Sequence, residues 1–114
     1  MVTHYTDTQL VGEAVATLFT TLNSGPAQLA VIIYNSGLNT INYQWQENNG
    51  AAWVNIGQPG SIYNTTLQSQ QVALMTVTSS YPEVRLIGNA SGGSYLDFAV
   101  TRFVERPNGG YVGR

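Results

Sequence analysis

From about residue 27 to residue 104 the chain alternates apolar and polar positions with a period of two. That spacing puts successive side chains on opposite faces of a β-strand. In Leu29-Ala30-Val31-Ile32-Ile33-Tyr34, residues 29, 31 and 33 share one face and 30, 32 and 34 the other. Both faces are apolar, which predicts a central strand covered on each side. Over 40–47, Ile41, Tyr43 and Trp45 alternate with Asn42, Gln44 and Gln46, a half-buried strand with an amide-lined outer face. Asn48-Asn49-Gly50 predicts a hairpin turn, since Asn and Gly tolerate positive φ. The returning strand is set by Ala52, Val54 and Ile56, with Trp53 opposite them, and Gln58-Pro59-Gly60 breaks it.

Residues 61–67 read as a short edge strand. Val72 to Thr78 predicts a strand closed by Ser79-Ser80-Tyr81-Pro82, and Val84 to Ile87 another. Ser91-Gly92-Gly93-Ser94 turns the chain into a last long strand over 95–104, with Leu96, Phe98 and Val100 inward. The N-terminal third is ambiguous. Leu10, Val11, Ala14, Val15, Leu18 and Phe19 fit a helical stripe with Asp7 or Thr8 as cap. Gly12 and the cluster Thr17, Thr20 and Thr21 favour two short strands, about 9–15 and 17–22, and strands are the expectation adopted. The pattern predicts one all-β domain over 1–114, a β-sandwich or jelly roll of about seven to eight antiparallel strands. Residues 1–8 are expected to form an N-terminal arm and 106–114, with Gly109, Gly110 and Gly113, an extended tail.

Composition removes most chemistry from this scaffold. The 114 residues include no cysteine, one histidine and ten charged residues, six acidic and four basic; none of the four is lysine. A 43% hydrophobic content supports a real core without disulfides or metal. A net charge of −2 argues against a nucleic-acid surface, which needs clustered cations. No apolar run approaches the ~20 residues of a membrane-spanning helix. The N-terminus shows no basic segment followed by an apolar run, so synthesis in the cytoplasm is expected.

A catalytic nucleophile needs a base in reach, and the only histidine is His4. No Gly-x-Ser-x-Gly elbow occurs. The carboxylates Asp7, Glu13, Glu47, Glu83, Asp97 and Glu105 show no spacing that pairs two of them across a cleft. Asp97 is expected to reach Arg85 across a hairpin between the last two strands. No enzyme activity, metal or cofactor is expected. Tyr43 and Trp45, on the face of Ile41, read as core, and Trp53 as the aromatic to find exposed.

Val31-Ile32-Ile33-Tyr34-Asn35-Ser36-Gly37, Tyr43-Gln44-Trp45, Gly50-Ala51-Ala52-Trp53, Glu83-Val84-Arg85-Leu86 and Gly92-Gly93-Ser94-Tyr95-Leu96 span most of residues 27–104. In pattern and composition they resemble the jelly-roll decoration (cement, head-stabilising) proteins of tailed bacteriophages. The resemblance implies a structural virion protein on the outside of a capsid, bridging capsomers as a dimer or trimer. Its implied partners are the major capsid protein and copies of itself, with no nucleic acid, membrane or small-molecule substrate. Candidate contact residues are His4, Tyr5, Trp53, Arg106, Tyr111 and Arg114. The alternative is a carbohydrate- or receptor-binding module with Trp53 and neighbouring aromatics as a stacking platform. A bacterial Ig-like adhesion or accessory domain is the third reading.

Overall fold

The computed structural model describes residues 2–22, 27–56 and 64–104, with side chains described over 5–20, 28–56 and 66–102. Among them are nine strands and no helix: β1 Val2–Val11, β2 Ala16–Leu22, β3 Ala27–Asn35, β4 Ile41–Asn48, β5 Trp53–Asn55, β6 Asn64–Leu67, β7 Val72–Ser79, β8 Glu83–Asn89 and β9 Ser94–Val104. One sheet has the order β1-β9-β3-β7; the other runs β2-β8-β4-β5, with β6 also pairing β4. All pairings are antiparallel, and they nest: β1 with β9, β2 with β8, β3 with β7, and β4 with β5 and β6. The chain is thus one long hairpin folded over on itself and closed by β3–β9 and β4–β8. This is the jelly-roll form of the predicted β-sandwich.

Period-two alternation fills the space between the sheets. Leu29, Val31 and Ile33 from β3, Ile41, Tyr43 and Trp45 from β4, Val84 and Leu86 from β8, and Leu96, Phe98 and Val100 from β9 are buried there. Phe19 sits at one side of this core, its ring edge-on to Tyr5, Trp45 and Phe98 at centroid distances of 5.5, 6.1 and 5.4 Å. Edge-to-face aromatic contacts of this kind add modestly to the burial of their area.

Three sequence expectations need correction, and the helical stripe an explanation. Of the expected arm 1–8, residues 2–8 are not free: they belong to β1, paired with β9 from Val2↔Phe103 to Val11↔Ser94. The strand over 9–15 is displaced, because β1 ends at Val11 and residues 12–15 form the turn into β2. The apparent helical stripe has a different origin. Leu10 and Val15 are exposed, whereas Leu18 and Phe19 are both buried because a bulge between Thr17 and Phe19 interrupts the alternation of β2. Finally, β3 is central in its sheet but covered on one side only, since Ala30 and Ile32 face outward and exposed. The break at Gln58-Pro59-Gly60 and the tail 106–114 lie outside the described residues.

Asn35 closes one end of the sandwich. It is fully buried, and its Nδ2 donates to the carbonyls of Asn39 (2.7 Å) and Leu67 (2.9 Å). Its Oδ1 accepts from the Gly37 N–H (3.0 Å) and the Ser94 hydroxyl (2.7 Å). The packing there leaves no room at Gly37, where a Cβ would meet Ser94 Oγ and lie 2.6 Å from Tyr95 N. Gly37→Ala is therefore expected to cost about 1–3 kcal/mol by overpacking. Gly12→Ala, with nothing within 4 Å of the added carbon, should change stability by less than about 0.5 kcal/mol. Urea titration of both proteins checks the contrast, and equal midpoints would refute it.

Candidate functional site

Three surfaces stand out. The first is the outer face of the sheet that carries β4. Its strand parity brings Gln46, Asn48, Trp53, Asn55, Glu83 and Arg85 to one side. Arg85 donates from Nε to Gln46 Oε1 (2.9 Å) and places its guanidinium carbon 4.1 Å over the Trp53 ring. Gln46 donates in turn to Asn55 Oδ1 (3.0 Å), and Asn48 to Glu83 Oε1 (2.9 Å). Trp53 is half-buried. A cation–π partner already occupies one face of its ring, so a stacking sugar would have to displace Arg85 or use the other face.

The second surface is a lateral cleft of about 550 Å³ between the edges of β1 and β2, floored by Tyr5, Phe19 and Phe98 and rimmed by Asp7, Gln9 and Thr20. Asp7 is held at its mouth by the Thr8 N–H and by Gln9 Nε2, each at 2.8 Å. The third is the outer face of the sheet that carries β3. There Ala99, Ile32 and Leu74 stand side by side on β9, β3 and β7. Beside them, Val72 and Tyr95 are also exposed.

The expected Asp97–Arg85 contact is absent for a topological reason: β8 and β9 lie in different sheets, so no hairpin joins them. Asp97 instead accepts from the hydroxyls of Thr8 (2.8 Å) and Ser36 (3.3 Å). Glu47 accepts from Ser79 Oγ (3.2 Å) and the Ser80 N–H (2.9 Å), joining β4 to β7 across the two sheets. Among the described residues no group of three or more His, Asp or Glu side chains could hold a metal ion.

The proposed contact residues are not gathered in one place. Tyr5 is half-buried against Phe19 inside the sandwich rather than on an arm. The backbone of His4 pairs with Thr101 in the β1–β9 ladder. Trp53 lies on the opposite sheet, and Arg106, Tyr111 and Arg114 fall outside the described residues. Reasoning from the sequence missed the buried polar residues, Arg102 and Asn35 among them. Arg102 is inward by the same parity as Leu96, Phe98 and Val100, a signal that was there to read. Asn35 had no such signal, because Asn-Ser-Gly reads locally as an ordinary turn.

No protein-family model matches the sequence, and no curated protein is similar enough to assign a relationship. Solved structures share the fold. A chain of the Bacillus endospore appendages, described as a novel family of disulfide-linked pili, superposes with a TM-score of 0.60 and 11% identity, covering 90% of this chain and 84% of that one. PirA superposes with a TM-score of 0.59 and 14% identity, covering 85% and 91%. These likenesses establish an all-β sandwich.

Proposed function

We propose that this chain is a structural building block of a virion, a decoration protein that binds the outside of a phage capsid and bridges capsomers through non-covalent surface contacts. The observation that carries this reading is how the polar chemistry is used. Asp7, Glu47, Glu83 and Asp97 each accept hydrogen bonds from neighbouring groups of the scaffold, while Ile32, Val72 and Leu74 face outward on a sheet. Carboxylates engaged in this way serve the fold, and exposed apolar area serves contact. We infer no catalytic activity for it. The Bacillus appendages are disulfide-linked; with no cysteine, this chain assembles without that bond. Contacts made by hydroxyl and amide groups are short-ranged and less sensitive to salt than ion pairs. The working location is the virion surface after synthesis in the host cytoplasm, with the major capsid protein and further copies of the chain as partners.

The test is co-sedimentation with expanded phage heads that lack the protein. Binding is expected, and removal of residues 106–114 should weaken it while leaving the melting temperature of the domain unchanged. Equal binding by the truncated protein would remove the tail from the mechanism. A protein that ignores heads and binds a glycan array would replace the reading with carbohydrate recognition.

A further inference from the structure

The outer face of the sheet that carries β4 gathers donors that the fold itself does not use. Arg85 is fixed twice, by its Nε bond to Gln46 Oε1 and by the Trp53 ring beneath its guanidinium. Neither contact takes up the outer edge of the guanidinium. Among the described residues its terminal nitrogens, Nη1 and Nη2, meet no acceptor. Arginine is a donor only, so it also sets the direction of its neighbours. Gln46 turns its oxygen to Arg85, its amide nitrogen donates to Asn55 Oδ1, and the amide nitrogen of Asn55 is left without an acceptor among the described residues. The same holds for the indole N–H of Trp53. None of these atoms is buried, so each is open to an acceptor that comes from outside the chain.

The chemistry of that acceptor follows from the charges and the space around it. A guanidinium with a free edge matches a carboxylate, two N–H groups against two oxygens. Stacking on Trp53 holds the planar fork ready, so less freedom is lost when it is used. Glu83 limits the charge of the ligand. It lies two residues from Arg85 on the same face, its Oε1 accepts from Asn48 (2.9 Å), and its other oxygen meets no donor among the described residues. That oxygen repels a second negative charge and accepts from a hydroxyl. Beyond Asn48 and Glu83 the face opens into a groove of about 330 Å³ between Asn49-Gly50 and Tyr81-Pro82, with Tyr81 40% exposed. One carboxylate, several hydroxyls and an apolar ring face together describe a sugar acid.

We propose that Arg85, held by Trp53 and Gln46, anchors a binding site for a carboxylated sugar, a uronic acid unit of an acidic glycan. The carboxylate takes the outer N–H groups of Arg85, sugar hydroxyls accept from Asn55 and donate to Glu83, and the next unit lies in the groove against Tyr81. Trp53 supports the cation here and is not a stacking platform, so its contact with Arg85 stays intact. The site goes beyond decoration of a capsid and does not depend on it.

Nuclear magnetic resonance of the full chain tests it with D-glucuronate, read at the Trp53 indole N–H and the Arg85 Nε–H. Saturable shifts of both signals are expected, with a dissociation constant of about 1 mM for the single unit. D-Glucose, which lacks the carboxylate, should bind at least about tenfold more weakly. Arg85→Gln, read at the indole, should lose at least about tenfold, and Arg85→Lys should not restore the loss because it keeps the charge without the planar fork. Circular dichroism and thermal melts verify that both variants are folded. No shift at either signal up to about 20 mM glucuronate, an equal response to glucose, or unchanged binding in Arg85→Gln overturns the site. N-acetylglutamate amide binding as tightly as glucuronate would assign the fork to an acidic side chain of a protein partner and overturn the sugar. Glucuronate binding by a protein that ignores phage heads would support the site and remove the decoration reading. Heads bound by a protein blind to glucuronate would do the reverse.

Discussion

Replacing Asn35 by Asp is expected to lower the unfolding free energy at neutral pH by about 3–5 kcal/mol, although the side chain keeps its size and shape. The amide of Asn35 uses its full capacity, with two N–H donors engaged by the Asn39 and Leu67 carbonyls and two acceptor positions filled by Gly37 N–H and Ser94 Oγ. An ionised carboxylate supplies no donor, leaves both carbonyls unmet and sets a negative charge against them in a fully buried position. Each unmet buried group costs about 1–3 kcal/mol. The pH dependence has a definite sign. Burial favours the neutral acid, so the folded-state pKa of the introduced Asp lies above its unfolded value of about 3.9. The folded variant then binds the extra proton first, and part of the loss should be recovered as pH falls towards about 4. Urea titrations at several pH values check this. A variant as stable as the parent at pH 7 would mean that the three chain segments meeting at Asn35 do not depend on its amide.

Trp45→Ala carries the second large effect, an expected loss of about 3–5 kcal/mol. Small domains are stable by only about 5–15 kcal/mol, so the variant should be close to unfolded at body temperature. Trp45 has no exposed surface, and its indole N–H donates to Met75 Sδ (3.3 Å) on β7, in the facing sheet. Its ring also meets Phe19 edge-on. Met75→Leu separates the two contributions. It keeps the volume and removes the sulfur acceptor, and as a conservative swap should cost less than about 1.5 kcal/mol. A loss from Met75→Leu equal to that from Trp45→Ala would place the weight on the N–H···S contact rather than on packing. Thermal melts resolve the difference, since about 1 kcal/mol moves the midpoint of a domain this size by roughly 4–8 °C.

The strands after residue 27 were legible because one residue in two must face the core, and Ile41, Tyr43 and Trp45 state that directly. Tyr43 and Trp45 are core residues as their face predicted. Local pattern failed where a single residue shifted the phase. The bulge at Thr17 sets Leu18 and Phe19 side by side in the interior, which mimics helical spacing. It failed again where partnership is decided at long range. Nothing near Asp97 shows that β8 and β9 enter different sheets, and nothing near Tyr5 shows that β9 is waiting for it. The outward exposure of Ile32 has the same cause, since among the described residues no second layer covers that face of β3. The candidate contact surfaces were the least legible part. That Ile32 and Leu74 stand side by side is a property of strand order, whereas Trp53 was marked by its aromatic ring alone.

The nested hairpin also governs how the protein comes into being. β1 pairs with β9, from Val2↔Phe103 to Val11↔Ser94, so β1 leaves the ribosome long before its partner is made. At translation rates of about 5–20 residues per second, β1 stays unpaired for roughly 4–20 s. Folding is then gated by synthesis of β9, and pairings this remote in sequence close slowly even once both strands exist.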